Sequence, residues 1–297
     1  KIEKISLLTV KKLPSKYKSF RWMLLATFSF SVMGLCVKLN SSSFNEYELV
    51  FYRSFVSLII IIVLMKKNDI TIKTKYAWFH FLRSFIGFIS LLLFFYAITK
   101  LPLSTSMTLN YTSPIFLGLL IPFLMKQKFN SSKLFLLLIG FLGIVFILKP
   151  VLNQNWFAGL MGVLSGFGAA IAYIMVAKLG QLKEPDLRTV YFFTLISSIL
   201  SFGLMLKEDI SPISFDINLI YLLLLGVSAT IAQLAITRAY REGKTLNNAA
   251  YSYMTVIFSV GLGVWIFQEN LDLLTLLGIL LIFLAGIFIN KTKLRLK

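Results

Sequence analysis

The stretch Leu271–Asn290, LDLLTLLGILLIFLAGIFIN, followed at once by the tail KTKLRLK over 291–297, decides the class of fold. About 20 predominantly apolar residues cross the hydrocarbon core of a bilayer as a helix. Backbone groups in lipid find no water to bond, so a run of this kind satisfies them within itself as a helix. The basic tail marks the side on which it stops. Back along the chain the pattern recurs at 20–38, 46–65, 76–99, 103–125, 133–149, 156–177, 187–206, 217–237 and 245–267. Together with 271–290 this predicts ten spans. The connections are short, so consecutive spans are antiparallel neighbours.

The composition fits: 58% of the residues are hydrophobic and 14% charged, and the mean hydropathy is +0.83. Soluble domains carry roughly a quarter charged residues. A formal charge of +18 in a soluble protein would point to nucleic acid. Here the basic residues fall in clusters between apolar runs, so membrane topology accounts for them and no nucleic-acid partner is expected. With a cytoplasmic N-terminus, the inside segments (1–21, 66–75, 126–133, 178–188, 238–244 and 291–297) hold 24 of the 30 basic residues and five of the 12 acidic ones. Glu46, Glu48, Glu208, Asp209, Asp216, Glu269 and Asp272 fall on the other side. The positive-inside rule is met without exception. Both termini are therefore expected in the cytoplasm, with the protein in the cell inner (plasma) membrane among lipid. No segment has the form of a removable signal peptide.

Cys36 is the only cysteine and His80 the only histidine, which leaves no internal disulfide and no cysteine or histidine metal cluster. No cofactor is expected, and no nucleotide-binding loop points to ATP. His80 is expected in an interfacial aromatic belt with Trp78 and Phe79.

The chain also repeats. Lys38 and Lys178 close the first and sixth spans, and Phe51-Tyr52-Arg53 falls opposite Tyr191-Phe192-Phe193 at the same offset. Tyr111-Thr112-Ser113-Pro114-Ile115-Phe116 then falls opposite Tyr253-Met254-Thr255-Val256-Ile257-Phe258, and Gly143-Ile144-Val145-Phe146-Ile147 opposite Gly286-Ile287-Phe288-Ile289. A unit of five spans is odd, so the second copy enters the membrane upside down. Residues 20–149 and 156–290 are thus expected as inverted five-helix repeats, between a basic segment 1–19 and the tail 291–297. Inverted repeats characterise secondary transporters, whose halves exchange roles as access alternates.

Arg83-Ser84-Phe85-Ile86-Gly87, Phe95-Tyr96-Ala97, Leu101-Pro102-Leu103 and Tyr111-Thr112-Ser113-Pro114 resemble the third and fourth helices of the EamA-like drug/metabolite transporters. Arg238-Ala239-Tyr240, Tyr251 and Phe267-Gln268-Glu269 resemble the matching stretch of the second repeat. The sequence departs at Gln127, where the first repeat of that family often carries a glutamate. The resemblance implies a ten-helix transporter with a central cavity lined mainly by spans 1, 3, 4, 6, 8 and 9, and no particular substrate.

Charge at membrane depth marks function by default. Arg53 and Arg83 lie about a third of the way into spans 2 and 3, where each either meets an anionic group, a carboxylate above all, or is a structural arginine bonded to helix-end carbonyls or snorkelling to an interface. In span 4, Ser106, Asn110 and Pro114 share a face, and Pro114 deprives the Asn110 carbonyl of its helical partner, making a hinge. Tyr111 and Asn110 correspond to Tyr253 and Ser252 in span 9. Gln233 in span 8, Tyr251 in span 9 and Tyr173 in span 6 complete the candidate substrate site. Ala158, Gly162, Gly166 and Ala170 form a small-residue stripe for helix packing or sliding, and monomer and homodimer are both open. No acid lies in the middle third of any span, so facilitated diffusion or exchange is expected, with coupling through Glu46, Glu48 or Glu269 left open. An enzyme would need a catalytic constellation that the spans lack, and a channel rings of like residues. The expected substrate is a small polar or zwitterionic metabolite, an amino acid or related amine or carboxylate. The alternative is an organic anion or larger metabolite.

Overall fold

The computed structural model describes residues 15–40, 43–101, 103–150, 155–208, 211, 217–268 and 271–292. The basic residues 1–14 and 293–297, and also Pro102, Asp209, Asp216 and Glu269, lie outside them. Among the described residues the chain is all-α, with ten segments long and apolar enough to cross a bilayer. Eight are single helices: α1 (Ser15–Asn40), α2 (Glu46–Lys67), α3 (Ala77–Lys100), α6 (Ser131–Leu148), α7 (Trp156–Gln181), α8 (Asp186–Met205), α9 (Ile217–Glu242) and α12 (Leu273–Lys291). The fourth span is broken into α4 (Leu103–Asn110) and α5 (Ser113–Leu124), and the ninth into α10 (Thr245–Ser252) and α11 (Met254–Phe267).

Helix starts near the membrane surface leave amide hydrogens without intrahelical acceptors, and short polar side chains take them up. Asn45 and Glu48 form a capping box at α2, and Asn130, Asn155 and Asp272 cap α6, α7 and α12. Glu48 is fully buried and also accepts from the Ser211 amide and hydroxyl. It is engaged as a cap, which leaves it poorly placed for ion coupling.

The outside of the bundle is apolar and much of its inside polar. Leu273, Trp265 and Phe123 are each 80% exposed, whereas Ser165, Ser197 and Ser201 are fully buried. This is the distribution of a surface solvated by lipid, where small and hydroxylated residues hold helices together. Helix α1 packs on α9 as α7 packs on α3, α2 lies on α8, and α6 lies on α12. At the α6–α12 crossing a β-carbon on Gly143 would fall 2.6 Å from the Gly278 carbonyl oxygen, so only glycine permits that approach.

Phe20, Tyr251 and Asn290 meet at one end of the bundle, which places the first and last described helix ends on a common face, here the terminal face. The expectation for His80 is overturned there. Trp78 is 67% exposed, as in a belt, but His80 is fully buried, stacked on Phe192 and 3.0 Å from the Glu184 carboxylate. Glu184, in the turn between α7 and α8, also accepts from Arg188 at 2.9 Å and Thr74 at 3.0 Å. A carboxylate in reach draws the imidazole inward. Burial by itself pushes the Glu184 carboxyl up, but the hydrogen bonds from Arg188, His80 and Thr74, with the Arg188 charge, together hold it below the ordinary value.

The stripe on α7 has a definite occupant. A β-carbon on Gly166 would lie 2.4 Å from Thr112 Oγ1 and 2.9 Å from the Asn110 carbonyl oxygen, and one on Gly162 would lie 2.8 Å from the Leu109 side chain. The glycines seat the broken fourth span. Gly166→Ala is expected to destabilise the purified protein by about 1–3 kcal/mol, the usual penalty of overpacking. Gly159→Ala, on the same helix with nothing within 4 Å, should leave thermal unfolding in detergent unchanged or slightly improved. Glu184 supplies a pH test. Its depressed folded-state pKa stabilises above the unfolded value of about 4.3 and stops doing so as pH falls through the folded one. Glu184→Gln should therefore lower the melting temperature near neutral pH, with the difference from the parent closing as the buffer is taken below about 4.

Candidate functional site

Two polar levels lie inside the bundle. At the first, Arg83 on α3 and Arg53 on α2 both reach the ring of Phe193 on α8. Their guanidinium carbons lie 3.9 Å and 5.8 Å from its centroid. Arg83 donates through Nη2 to Gln233 Oε1 on α9 at 3.0 Å. Tyr173 on α7 is close enough for both arginine charges to act on it, and the two arginines act on each other. The Tyr173 ring stacks on Tyr240, 5.4 Å between centroids. Both arginines are almost wholly buried, and Nε and Nη1 of each have no hydrogen-bond partner. Thr237, one turn from Gln233, likewise has a buried hydroxyl without a partner.

Arg53 enters about seven residues from the far end of its span and Arg83 about six from the terminal face, each roughly 10 Å deep at 1.5 Å per residue. Four sequence candidates, Arg53, Arg83, Tyr173 and Gln233, are thus brought together by five helices. The arginines do not snorkel; they turn inward onto an aromatic ring, a favourable seat for a guanidinium. Phe193 was not a candidate. A signal existed, since Phe193 is the residue that the repeat sets opposite Arg53.

The second level is built on the broken spans. Residues Tyr111 and Thr112 interrupt span 4, with Pro114 buried in the first turn of α5. Proline has no amide hydrogen to offer. Asn110 donates through Nδ2 to Ser165 Oγ on α7 at 3.0 Å, and Ser90 on α3 donates to the Ser165 carbonyl at 2.7 Å. Span 9 breaks at Tyr253, the position that the repeat sets opposite Tyr111, though no proline stands there. Instead Ser252 donates to the Ala249 carbonyl and Thr255 to the Ser252 carbonyl, back-bonds that compete with the helical ladder. Ser31 on α1 donates to the Thr255 carbonyl at 2.8 Å. Tyr111 and Tyr253 meet edge to face, 6.4 Å between centroids. Along α7 the two levels, at Tyr173 and Ser165, stand about 12 Å apart.

Though its ring meets Tyr111 at the second level, the hydroxyl of Tyr253 donates to the Leu137 carbonyl at 3.2 Å and its ring also lies against Gly140, so it ties span 9 to span 5. The remaining candidates fall elsewhere. Tyr251 sits at the terminal face against Phe20 and Asn290. Ser106 is fully buried on α4. A shallow recess of about 610 Å³ between α6 and α12, lined by Ser131, Phe135, Phe288 and Lys291 among others, contains none of the candidates.

The model of the EamA-like transporter family matches this chain twice, over residues 18–149 and 156–291. Curated relatives match nearly end to end. The pseudopaline exporter of Pseudomonas aeruginosa is 28% identical over 271 residues, 91% of this chain and 94% of its own. An uncharacterized transporter of Helicobacter pylori is 30% identical over 283 residues, 90% of this chain and 92% of its own. The S-adenosylmethionine uptake transporter of Rickettsia conorii is 26% identical over 271 residues, 90% of each chain. A solved crystal structure superposes with a TM-score of 0.80 at 15% identity, covering 91% of this chain and 96% of its own, which speaks for the fold alone. The chain belongs to the EamA-like transporter family: it is a multi-pass membrane transporter and not an enzyme.

Proposed function

We propose that this chain is a secondary transporter that moves a small polar, carboxylate-bearing metabolite, an amino acid or a relative of one, across the inner membrane by alternating access. Both termini face the cytoplasm, as the basic residues on alternate connections require. The observation that carries the mechanism is the packing scheme. Exchange span 1 with 6, 2 with 7, 3 with 8, 4 with 9 and 5 with 10, and the pairings of α1 with α9, α2 with α8 and α6 with α12 map onto pairings that also occur. The two spans interrupted near their middle are partners under that exchange, and the family matches each half separately. Two halves that can adopt each other's arrangement give an inward-open and an outward-open state of similar energy, which is what alternating access needs.

The substrate class is supported by the chemistry at both levels: amide, phenol and hydroxyl groups with guanidinium charge, and no acid among the described residues at that depth.

Counterflow tests the carrier mechanism. Proteoliposomes preloaded with unlabelled compound should take up labelled glutamate or aspartate faster than empty ones; entry indifferent to the trans side would mean a pore. Asn110→Ala should lower the transport rate roughly three- to tenfold, the worth of one neutral hydrogen bond, with expression unchanged. A normal rate would remove Asn110 from the site.

A further inference from the structure

Charged groups at membrane depth face a partner or a water-filled cavity, and mark substrate or ion sites. Arg53 and Arg83 place two guanidinium groups about one aromatic ring, in electrostatic range of each other. Among the described residues neither pairs with a carboxylate, and their Nε and Nη1 atoms are buried and unpartnered. Gln233 offers Arg83 an oxygen dipole and no charge. Like charges brought together in a low dielectric repel, and taking each from water is costly unless an opposite charge arrives. Two nitrogens of each guanidinium therefore remain to be met, while the third of Arg83 is held by Gln233.

We infer that Arg53 and Arg83 together form an anion-binding site in the middle of the bundle, which takes a substrate of net negative charge carrying two carboxylate groups. The guanidinium fork matches a carboxylate in two parallel hydrogen bonds. A dianion neutralises the pair, a zwitterion leaves both charges standing, and a cation such as S-adenosylmethionine adds to them. Tyr173 stands beside the pair, and Thr237, one turn from Gln233 on α9, has a buried hydroxyl without a partner, so both offer a hydroxyl to a ligand. The inference rests on the transporter proposal only in calling the ligand a substrate. The binding it asserts is measured without transport.

The test is thermal unfolding of the full chain in an uncharged maltoside detergent, which carries no phosphate headgroup to compete. Succinate, glutamate, alanine and S-adenosylmethionine are compared at one millimolar-range concentration, with ionic strength held constant by sodium chloride. A ligand that binds the native state raises its melting temperature. Succinate should raise it most, glutamate less, and alanine and S-adenosylmethionine not at all. Arg53→Gln and Arg83→Gln should each weaken the apparent succinate affinity about ten- to a hundredfold, the worth of hydrogen bonds to a charged group. Arg53→Lys, which keeps the charge and loses the fork, should fall between.

Ligand-free stability separates a binding role from a structural one. Removing an unpaired buried charge should leave the melting temperature of Arg53→Gln no lower than that of the parent. A marked fall there, restored by lysine, would make Arg53 a packing residue and overturn the proposal. So would the absence of any succinate shift beyond that of sodium chloride, or a shift that survives in the double glutamine variant. Counterflow distinguishes the two proposals. Exchange of a zwitterion unaffected by both substitutions would sink the anion site and leave the carrier standing. A succinate shift lost in the variants, without counterflow, would do the reverse.

Discussion

Every polar group inside this bundle has to be satisfied by the protein, because hydrocarbon offers nothing to bond. Unbroken helices meet that constraint for most of the chain. The interest lies where the constraint is strained: two spans interrupted at membrane depth, and two guanidinium groups turned inward. At the interruptions the compensation is visible. Asn110 finds Ser165, Thr112 returns a hydrogen bond to the Leu109 carbonyl, and Ser31 reaches across to the Thr255 carbonyl. The Asn110 and Ser31 bonds reach a neighbouring helix and the Thr112 bond stays within span 4, while the glycines of α7 let that helix come near the break. At the guanidinium groups the compensation is partial: Gln233 takes one hydrogen bond from Arg83 and Phe193 offers its ring, but Nε and Nη1 of each arginine have no partner among the described residues, which sets the arginines apart from the other buried polar groups.

The spans were legible in the sequence because hydropathy over twenty residues is a large signal and the basic residues provide an independent check on the count. The break in span 4 was legible because Pro114 removes a donor. The break in span 9 was not, since it rests on Ser252 and Thr255, residues that sit in unbroken helices as readily. Its place was nonetheless given by the repeat, which sets Tyr253 opposite Tyr111. The arginine cluster was half legible. Depth marked Arg53 and Arg83 as unusual, but which way a long side chain turns is decided by packing, and the ring that receives them comes from a helix some 110 residues further along the chain than Arg83. The directions of Tyr251 and Tyr253 were not legible for the same reason: packing carries their phenols to Asn290 and Leu137. His80 misled because Glu184, its partner, lies in a turn that neither hydropathy nor spacing connects to it.

Helix α7 ties these features into one body. Near its middle it presents Tyr173 to the arginines; eight residues earlier it holds Asn110 through Ser165 and seats the broken span against Gly166; at its terminal end it leads into Glu184, which clasps His80 on α3. A displacement of α7 against α3 therefore disturbs the polar levels and the terminal-face clasp together. The α7 stripe, seated against the broken fourth span, couples any such displacement to the break as well. In the proposed cycle this gives one element that senses an occupied site, seats the hinge and carries a lock at one face.

The backbone and the side chains divide the work differently between the halves. Alternating access requires the two arrangements to be close in energy, which a scaffold that maps onto itself provides without tuning. Substrate binding requires the opposite, since a ligand with distinct ends needs a site whose sides differ. At the α2–α8 contact, the pairing that the proposed exchange turns into itself, one half contributes Arg53 and the other, at the corresponding position, Phe193. Cation and ring occupy equivalent places and do unlike things: the ring gives the guanidinium groups a surface to lie on, and in the proposed anion site the charge sets the chemistry of what binds. Relatives of one fold can thus be named for unlike cargoes, a pseudopaline exporter and an S-adenosylmethionine uptake transporter among them. The scaffold commits a chain to transport, whereas the choice of cargo rests on a few side chains where the symmetry is broken.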